Sequence, residues 1–222
     1  MTIRHHLSDD LLISYAAGSL AEGWSLAVAT HLALCPACRR RLALAEDIGG
    51  ALLETVEAEA LSEADAAWGD MRRRIAQSSP APVAAPRAAP APRRDDGLPE
   101  PLRSYLGGDV DTLRWRPLGR GASQIRIPTA DKETQVRLLR IPAGKPVPEH
   151  GHGGRELTLV LSGSFVDGDD LFARGDIEDA DTSLTHQPVA TPGQDCICLA
   201  VTDAPLRFKS WIVRTIQPFL DI

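Results

Sequence analysis

The sequence predicts an α + β chain of two domains, a small helical one followed by an all-β barrel or sandwich, and three observations carry that reading. Residues 78–92 hold five prolines among alanines and almost nothing that could enter a core, so they read as an extended, solvated linker. Before them, apolar residues recur at helical spacing between cap-forming residues. After them the texture changes to short apolar runs broken by Gly, Pro and Asp, as in barrels and sandwiches. A length of 222 residues leaves room for two domains. The boundaries expected are 1–79 for the helical domain, 80–97 for the linker and 98–222 for the β-domain.

Ser8 or Asp9 can cap a first helix through Leu11, Leu12, Tyr15 and Ala16, with Gly18 ending it. Ser19-Leu20-Ala21-Glu22 has the pattern of a capping box for a second helix running to about Leu34. Pro36 suits the first turn of a third, which extends to Gly49 or beyond, because the N–H it lacks would be unpaired there anyway. Ser62-Glu63-Ala64-Asp65 opens a last helix through Trp68, Met71 and Ile75, with Arg72, Arg73 and Arg74 near its C-terminus, where cations suit the helix dipole. In the β-domain the expected strands include Gln135–Ile141 and residues 156–161, 164–165, 196–201 and 208–213.

The net charge is −6, and no segment is basic enough for a nucleic-acid surface, so direct nucleic-acid binding is not expected. The start Met1-Thr2-Ile3-Arg4-His5-His6 lacks the apolar run of a signal peptide. No stretch approaches the roughly 20 apolar residues of a membrane span. The four cysteines form two close pairs, not the spaced framework of a secreted fold. A cytoplasmic protein with metal or redox chemistry is the expectation.

The first pair belongs to His31-Leu32-Ala33-Leu34-Cys35-Pro36-Ala37-Cys38. Residues at i and i+4 share a helix face, and a Cys three positions on can close round the same ion. Two thiolates with imidazole favour tetrahedral Zn2+, which leaves one ligand to find. His5 and His6 are the other histidines of the helical domain, and either could supply it; both could equally be solvated residues of a frayed terminus. A thiol–disulfide pair of the thioredoxin type is the competing reading of Cys35 and Cys38, but there a strand precedes the pair and here a helix does. Arg39-Arg40-Arg41 reads as a solvated helix face, with an acidic partner as the alternative.

The second cluster is Gly144-x5-His150-x-His152-x3-Glu156-x6-Gly163. On an extended chain its three polar members share a face, and with a further His they suit a divalent metal such as zinc, manganese, iron or nickel. Cys196 and Cys198 alternate on a predicted strand and face one way. They read either as small buried hydrophobes or as a thiol pair open to oxidation near that metal.

The His31-x3-Cys35-x2-Cys38 spacing, with His6 upstream in a short helical domain, resembles the zinc-binding anti-sigma domain of bacterial anti-sigma factors. That resemblance implies Zn2+ on His6, His31, Cys35 and Cys38, and helices that wrap an extracytoplasmic-function sigma factor. Leu11, Leu12, Leu26, Leu42 and Leu52 could line such a surface or fill the domain's own core. The glycine-framed second cluster resembles the first cupin motif. The second cupin motif is partial: Gly175 and His186 stand at the expected separation, but Asp181, Ser183 and Ala190 replace its Pro, Gly and Asn. A cupin barrel with His150, His152, Glu156 and His186 as ligands of a divalent metal, by expectation Zn2+, is implied.

Together the two domains resemble the ChrR type of anti-sigma factor, down to local sequence at Met1–His6 and Cys196-Ile197-Cys198-Leu199-Ala200. That type implies a helical domain that binds the sigma factor, one to one, and a cupin domain that answers singlet oxygen or related oxidants. It also implies a regulator and no enzyme, with no membrane partner. The rival is a metal-dependent cupin enzyme, a dioxygenase or isomerase, carrying a helical appendage.

Overall fold

The structure, a computed structural model, describes residues 2–57, 64–78, 97–119 and 121–209. The predicted linker, apart from Gly97, and the predicted helix start at Ser62 lie outside them.

The helices are α1 (Asp9–Ala16), α2 (Glu22–Leu34), α3 (Pro36–Glu54), α4 (Ala64–Gln77) and α5 (Glu100–Leu106). Gly18 follows α1 at φ +66°, the left-handed conformation that ends a helix at least cost in glycine. Pro36 opens α3, as its missing N–H allows, and the Cys35 side chain caps it by accepting the Cys38 N–H. The short α5 packs on α2 and buries Leu102.

Two expected caps do other work. Ser8 stands at the N-cap of α1 without a capping bond, because its hydroxyl accepts from the Arg155 guanidinium at 3.2 Å. The capping box at Ser19–Glu22 does not form: α2 starts at Glu22 with Ala21 before it. Ser19 donates to the Ser14 carbonyl at 3.1 Å. The Glu22 carboxylate accepts from the Tyr105 hydroxyl at 2.7 Å and from the Ala130 N–H. In both cases a tie to the β-domain displaces the local bond that a sequence pattern can express.

The strands are β1 (Arg116–Gly119), β2 (Ala122–Ile127), β3 (Gln135–Ile141), β4 (His150–His152), β5 (Glu156–Ser162), β6 (Ser164–Asp167), β7 (Asp170–Ala173), β8 (Ile177–Ala180), β9 (Thr185–His186), β10 (Val189–Ala190), β11 (Cys196–Thr202) and β12 (Leu206–Phe208). They form a six-stranded antiparallel sheet in the order β1-β2-β3-β11-β5-β8 and two three-stranded sheets, β10-β6-β7 and β12-β4-β9. In the predicted strand 208–213, Phe208 is paired and the residues beyond 209 lie outside those described.

Alternation along β11 shows how the molecule is layered. Ile197, Leu199 and Val201 point outward and join Val136, Leu138, Leu157, Leu159 and Ile177 in one core with Leu7, Leu11, Leu12, Leu26, Val28 and Leu32 of the helical segment. Cys196 and Cys198 point inward to a second core with Val160, Phe165, Phe172 and Ala190. The helices α1 and α2 therefore cover the outer face of the large sheet, and Leu11, Leu12 and Leu26 fill core. Leu42 packs partly against it, and Leu52 is exposed.

Gly23 is what lets α2 approach so closely. A Cβ there would stand 2.2 Å from the Thr134 hydroxyl and 2.7 Å from a Val136 methyl, both on the β-domain. Its N–H donates to Asp131 across the same contact at 3.0 Å. Arg155 closes the other end, with 2.9 Å to Asp10 of α1 and 2.6 Å to Asp179 of β8.

Candidate metal centres

The first cluster is assembled at the α2–α3 junction. His31 lies in the last turn of α2, Cys35 caps α3 and Cys38 completes its first turn, while the chain start folds back to deliver His6. His31 Nε2 is 3.2 Å from Cys38 Sγ, and His6 Nδ1 is 3.3 Å from Cys35 Sγ and 3.7 Å from Cys38 Sγ. One ligand atom from each of the four lies within 4.8 Å of the others. Tetrahedral zinc with ordinary Zn–N and Zn–S bonds needs N···S edges of about 3.5 Å, so the four fit such an ion. Burial holds His31 well down, to about 4, with His6 adding to the effect, so the ring is neutral and its lone pair free. Burial pushes the Cys38 thiol up. A bound cation would reverse that preference and hold a thiolate. His5, the other candidate, faces away: its ring packs tilted against Phe172, centroids 4.2 Å apart.

Of the three arginines after Cys38, Arg41 is tied down by Asp9 at 2.5 Å and the Leu7 carbonyl at 2.7 Å. Arg39 donates to the Leu32 carbonyl at 2.6 Å. Neither is left free to meet an acidic partner.

The second cluster is built by strand pairing. β4 brings His150 and His152 to one face, and β9 pairs His186 directly with His150. The Nε2 atoms converge: His186 is 3.1 Å from His152 and 3.2 Å from His150. Nitrogens sharing one metal at ordinary bond lengths are about 3.1 to 3.4 Å apart. The Nδ1 of His150 faces the Pro148 carbonyl at 2.8 Å, and that of His186 faces Asp167 at 2.7 Å. Such partners on the far side of each ring leave Nε2 as the ligating atom.

Glu156 departs from the expected set of four. It is buried at the start of β5, but its carboxylate does not join the three imidazoles within ligating distance of one another. One oxygen accepts from Thr158 Oγ1 at 2.9 Å, and the other lies 3.7 Å from His152 Nδ1. Thr158 lies two residues along, on the same strand face. Burial raises its pKa to about 7. Two carboxylates that the spacing did not single out stand beside His186 instead: Asp167 at 2.7 Å and Glu178 at 3.7 Å. Burial works against the charge on His186, and these carboxylates outweigh it, lifting the ring to about 9. Their positions depend on the pairing of β6 and β8, and no motif announces that.

His150, Glu156, Glu178 and His186 line a cavity of about 260 Å³ whose walls are mostly apolar, among them Leu139, Ile141, Phe165 and Phe208. Cys196 and Cys198 lie on its wall as buried free thiols, Sγ to Sγ 3.5 Å. The contact to Cys196 and burial push Cys198 well up, so at neutral pH it is a thiol and no ready nucleophile.

A family profile described as the ChrR cupin-like domain matches residues 105–205. The anti-sigma-E factor ChrR of Cereibacter sphaeroides is 50% identical over 224 residues, covering 100% of both chains. The chain belongs to the ChrR family of anti-sigma factors. A crystal structure of Rhodobacter sphaeroides SigE in complex with the anti-sigma ChrR matches 91% of this chain and 100% of the ChrR-type chain compared, with 50% identity and a TM-score of 0.73. The fold class read from the sequence, a helical N-terminal part and a cupin-like β-part, is therefore the family's own. No helix among the described residues is long and apolar enough to cross a membrane.

Proposed function

We propose that this ChrR-family chain sequesters an extracytoplasmic-function sigma factor in the cytoplasm, one to one, and releases it when its cupin domain meets singlet oxygen or a related oxidant. The observation that carries the first half is an apolar stripe exposed among the described residues. On α3, Leu44, Ile48 and Leu52 recur every four residues and are 62%, 56% and 63% exposed. On α4, Trp68, Met71 and Ile75 repeat the pattern and are exposed as well. Stripes of this kind on a soluble chain mark a surface that a partner covers. Leu11, Leu12 and Leu26, which are occupied in the core, are not part of this surface. The ChrR relative is crystallised with SigE, which supports the same class of partner.

In this reading Zn2+ on His6, His31, Cys35 and Cys38 holds the α2–α3 junction. A divalent metal, by donor type Zn2+, sits on His150, His152 and His186, with Glu156 close by, where an oxidant entering the cavity meets it. Cys196 and Cys198 are a second candidate for oxidation there. Release then requires that the altered cupin domain favour the free state over the sigma-bound state. The competing enzyme reading has one observation in its favour, the Glu156 carboxyl poised near 7 beside an apolar cavity. The regulatory reading is preferred because it employs both clusters and the exposed stripe.

The test is capture of the sigma factor encoded in the same genome by the full chain. Ile48→Asp with Leu52→Asp, both on the solvent side, should weaken capture roughly a hundredfold, as loss of central apolar anchors does, and leave the far-UV circular dichroism unchanged. Undiminished capture by that variant would remove the stripe from the interface, and turnover of a small molecule by the purified chain would favour the enzyme.

A further inference from the structure

We infer that the N-terminal metal centre is braced by the cupin domain, with Asp176 as its positioning residue. The inference rests on the reading of His6, His31, Cys35 and Cys38 as metal ligands. Three of those ligands come from the α2–α3 junction, but His6 sits on the extended start before α1, which Arg41 of α3 holds on one side of His6 at the Leu7 carbonyl. On the other side, the turn between β7 and β8 holds it.

The Asp176 carboxylate is buried, with 3% of its side chain exposed, and each of its oxygens accepts backbone N–H groups. One takes the Arg4 N–H at 2.6 Å and the His5 N–H at 2.9 Å; the other takes the Ala173 N–H at 2.9 Å within the turn itself. The His5 carbonyl in turn accepts the Ile177 N–H at 3.4 Å. Residues 4 and 5 are thus clamped from both sides immediately before His6. A buried carboxylate bonded to several N–H groups makes strong, directional contacts, and loss of it leaves those donors unpaired.

Gly175 makes the close approach possible. It lies at φ +91°, and a Cβ there would stand 2.6 Å from the Ile3 side chain and 3.7 Å from Leu34 Cβ. The turn is anchored on the barrel through Gly175 N–H to the Val160 carbonyl at 2.8 Å and Val160 N–H to the Asp176 carbonyl at 3.0 Å. From there β8 alternates: Ile177 faces the helices, and Glu178 faces His186 in the second cluster. Residues 175 to 178 therefore lie against the chain start just before His6 at one end and beside His186 of the second cluster at the other. Partners that orient a ligand from outside the coordination sphere govern metal affinity almost as the ligands do.

The test uses the full chain loaded with Co2+ in place of zinc. The thiolate-to-cobalt absorption band in the near ultraviolet reports the Cys35/Cys38 site alone, and competition with a chelator gives its affinity. Asp176→Ala should lose tenfold to a hundredfold in Co2+ affinity at that band. Arg4→Pro, which deletes one N–H donor and leaves every barrel side chain in place, should lose less, and Asp111→Ala, on the exposed surface, nothing. Should Asp176→Ala fail to fold by circular dichroism, Arg4→Pro decides. Unchanged affinity in the folded variants overturns the positioning role alone. Absence of the thiolate band in the unaltered protein overturns the metal reading, and the inference with it.

Discussion

The two clusters solve the same problem, gathering imidazoles under cover, by opposite means. The N-terminal one draws three ligands from eight consecutive residues of a helix–turn–helix and a fourth from the chain start, with two thiols in the set. The barrel one draws its three imidazoles from two short strands, flanks one of them with the Asp167 and Glu178 carboxylates and opens onto a cavity of about 260 Å³. A closed set of four with sulfur suits structural zinc, whereas three converging nitrogens beside a cavity leave positions for another molecule. On the proposed function, stability and sensing fall in different places, and β8 lies between them.

The largest effect expected is at the closed centre. Cys38→Ser removes a soft ligand from a site whose binding energy doubles as folding energy. It should abolish stoichiometric zinc at that cluster and lower the helical signal, as read by metal analysis and circular dichroism. A fully helical, zinc-free variant would show that the α2–α3 junction needs no metal and would erase the contrast.

The second effect is smaller in structure and large in response. His150→Ala with His186→Ala should empty the barrel cluster and leave the N-terminal zinc and sigma capture intact. Release by singlet oxygen should be lost, as measured by sigma retention on the immobilised variant after illumination with a photosensitiser. Release at the ordinary rate would move sensing elsewhere, with Cys196 and Cys198 the next place to look.

The smallest effect is at the seam between the regions. Arg155 reaches Ser8, Asp10 and Asp179 from one side chain that is about one-third exposed. Such a partly screened network contributes about 1 kcal/mol. Arg155→Ala should shift the urea midpoint by a corresponding small amount and leave metal content unchanged at both clusters. A loss of zinc in this variant would mean that docking of the two regions, and not the Asp176 clamp in particular, supports the N-terminal centre.

The sequence by itself determined the elements whose signal is local. The His31, Cys35 and Cys38 spacing, the Pro36 helix start, the Gly18 helix end and strands β3, β5 and β11 all follow from residues within one or two turns of chain, or from alternation along one strand. The resemblance placed His6 and His186 with their partners, and the geometry brings both together with them. Tertiary structure decided what depends on residues far apart. It turned Ser8 and Glu22 from caps into ties, because bonds to Arg155, Tyr105 and Ala130 compete with the helix ends for the same oxygens. It decided between the two readings of Leu11, Leu12 and Leu26 in favour of the core, since helical periodicity says which residues share a face and not what covers that face. It left Glu156 outside the imidazole group and brought in Asp167, Glu178 and Asp176, because strands as short as β8 and β9 have too few residues for a pattern, and their partners are chosen by register with the rest of the sheet.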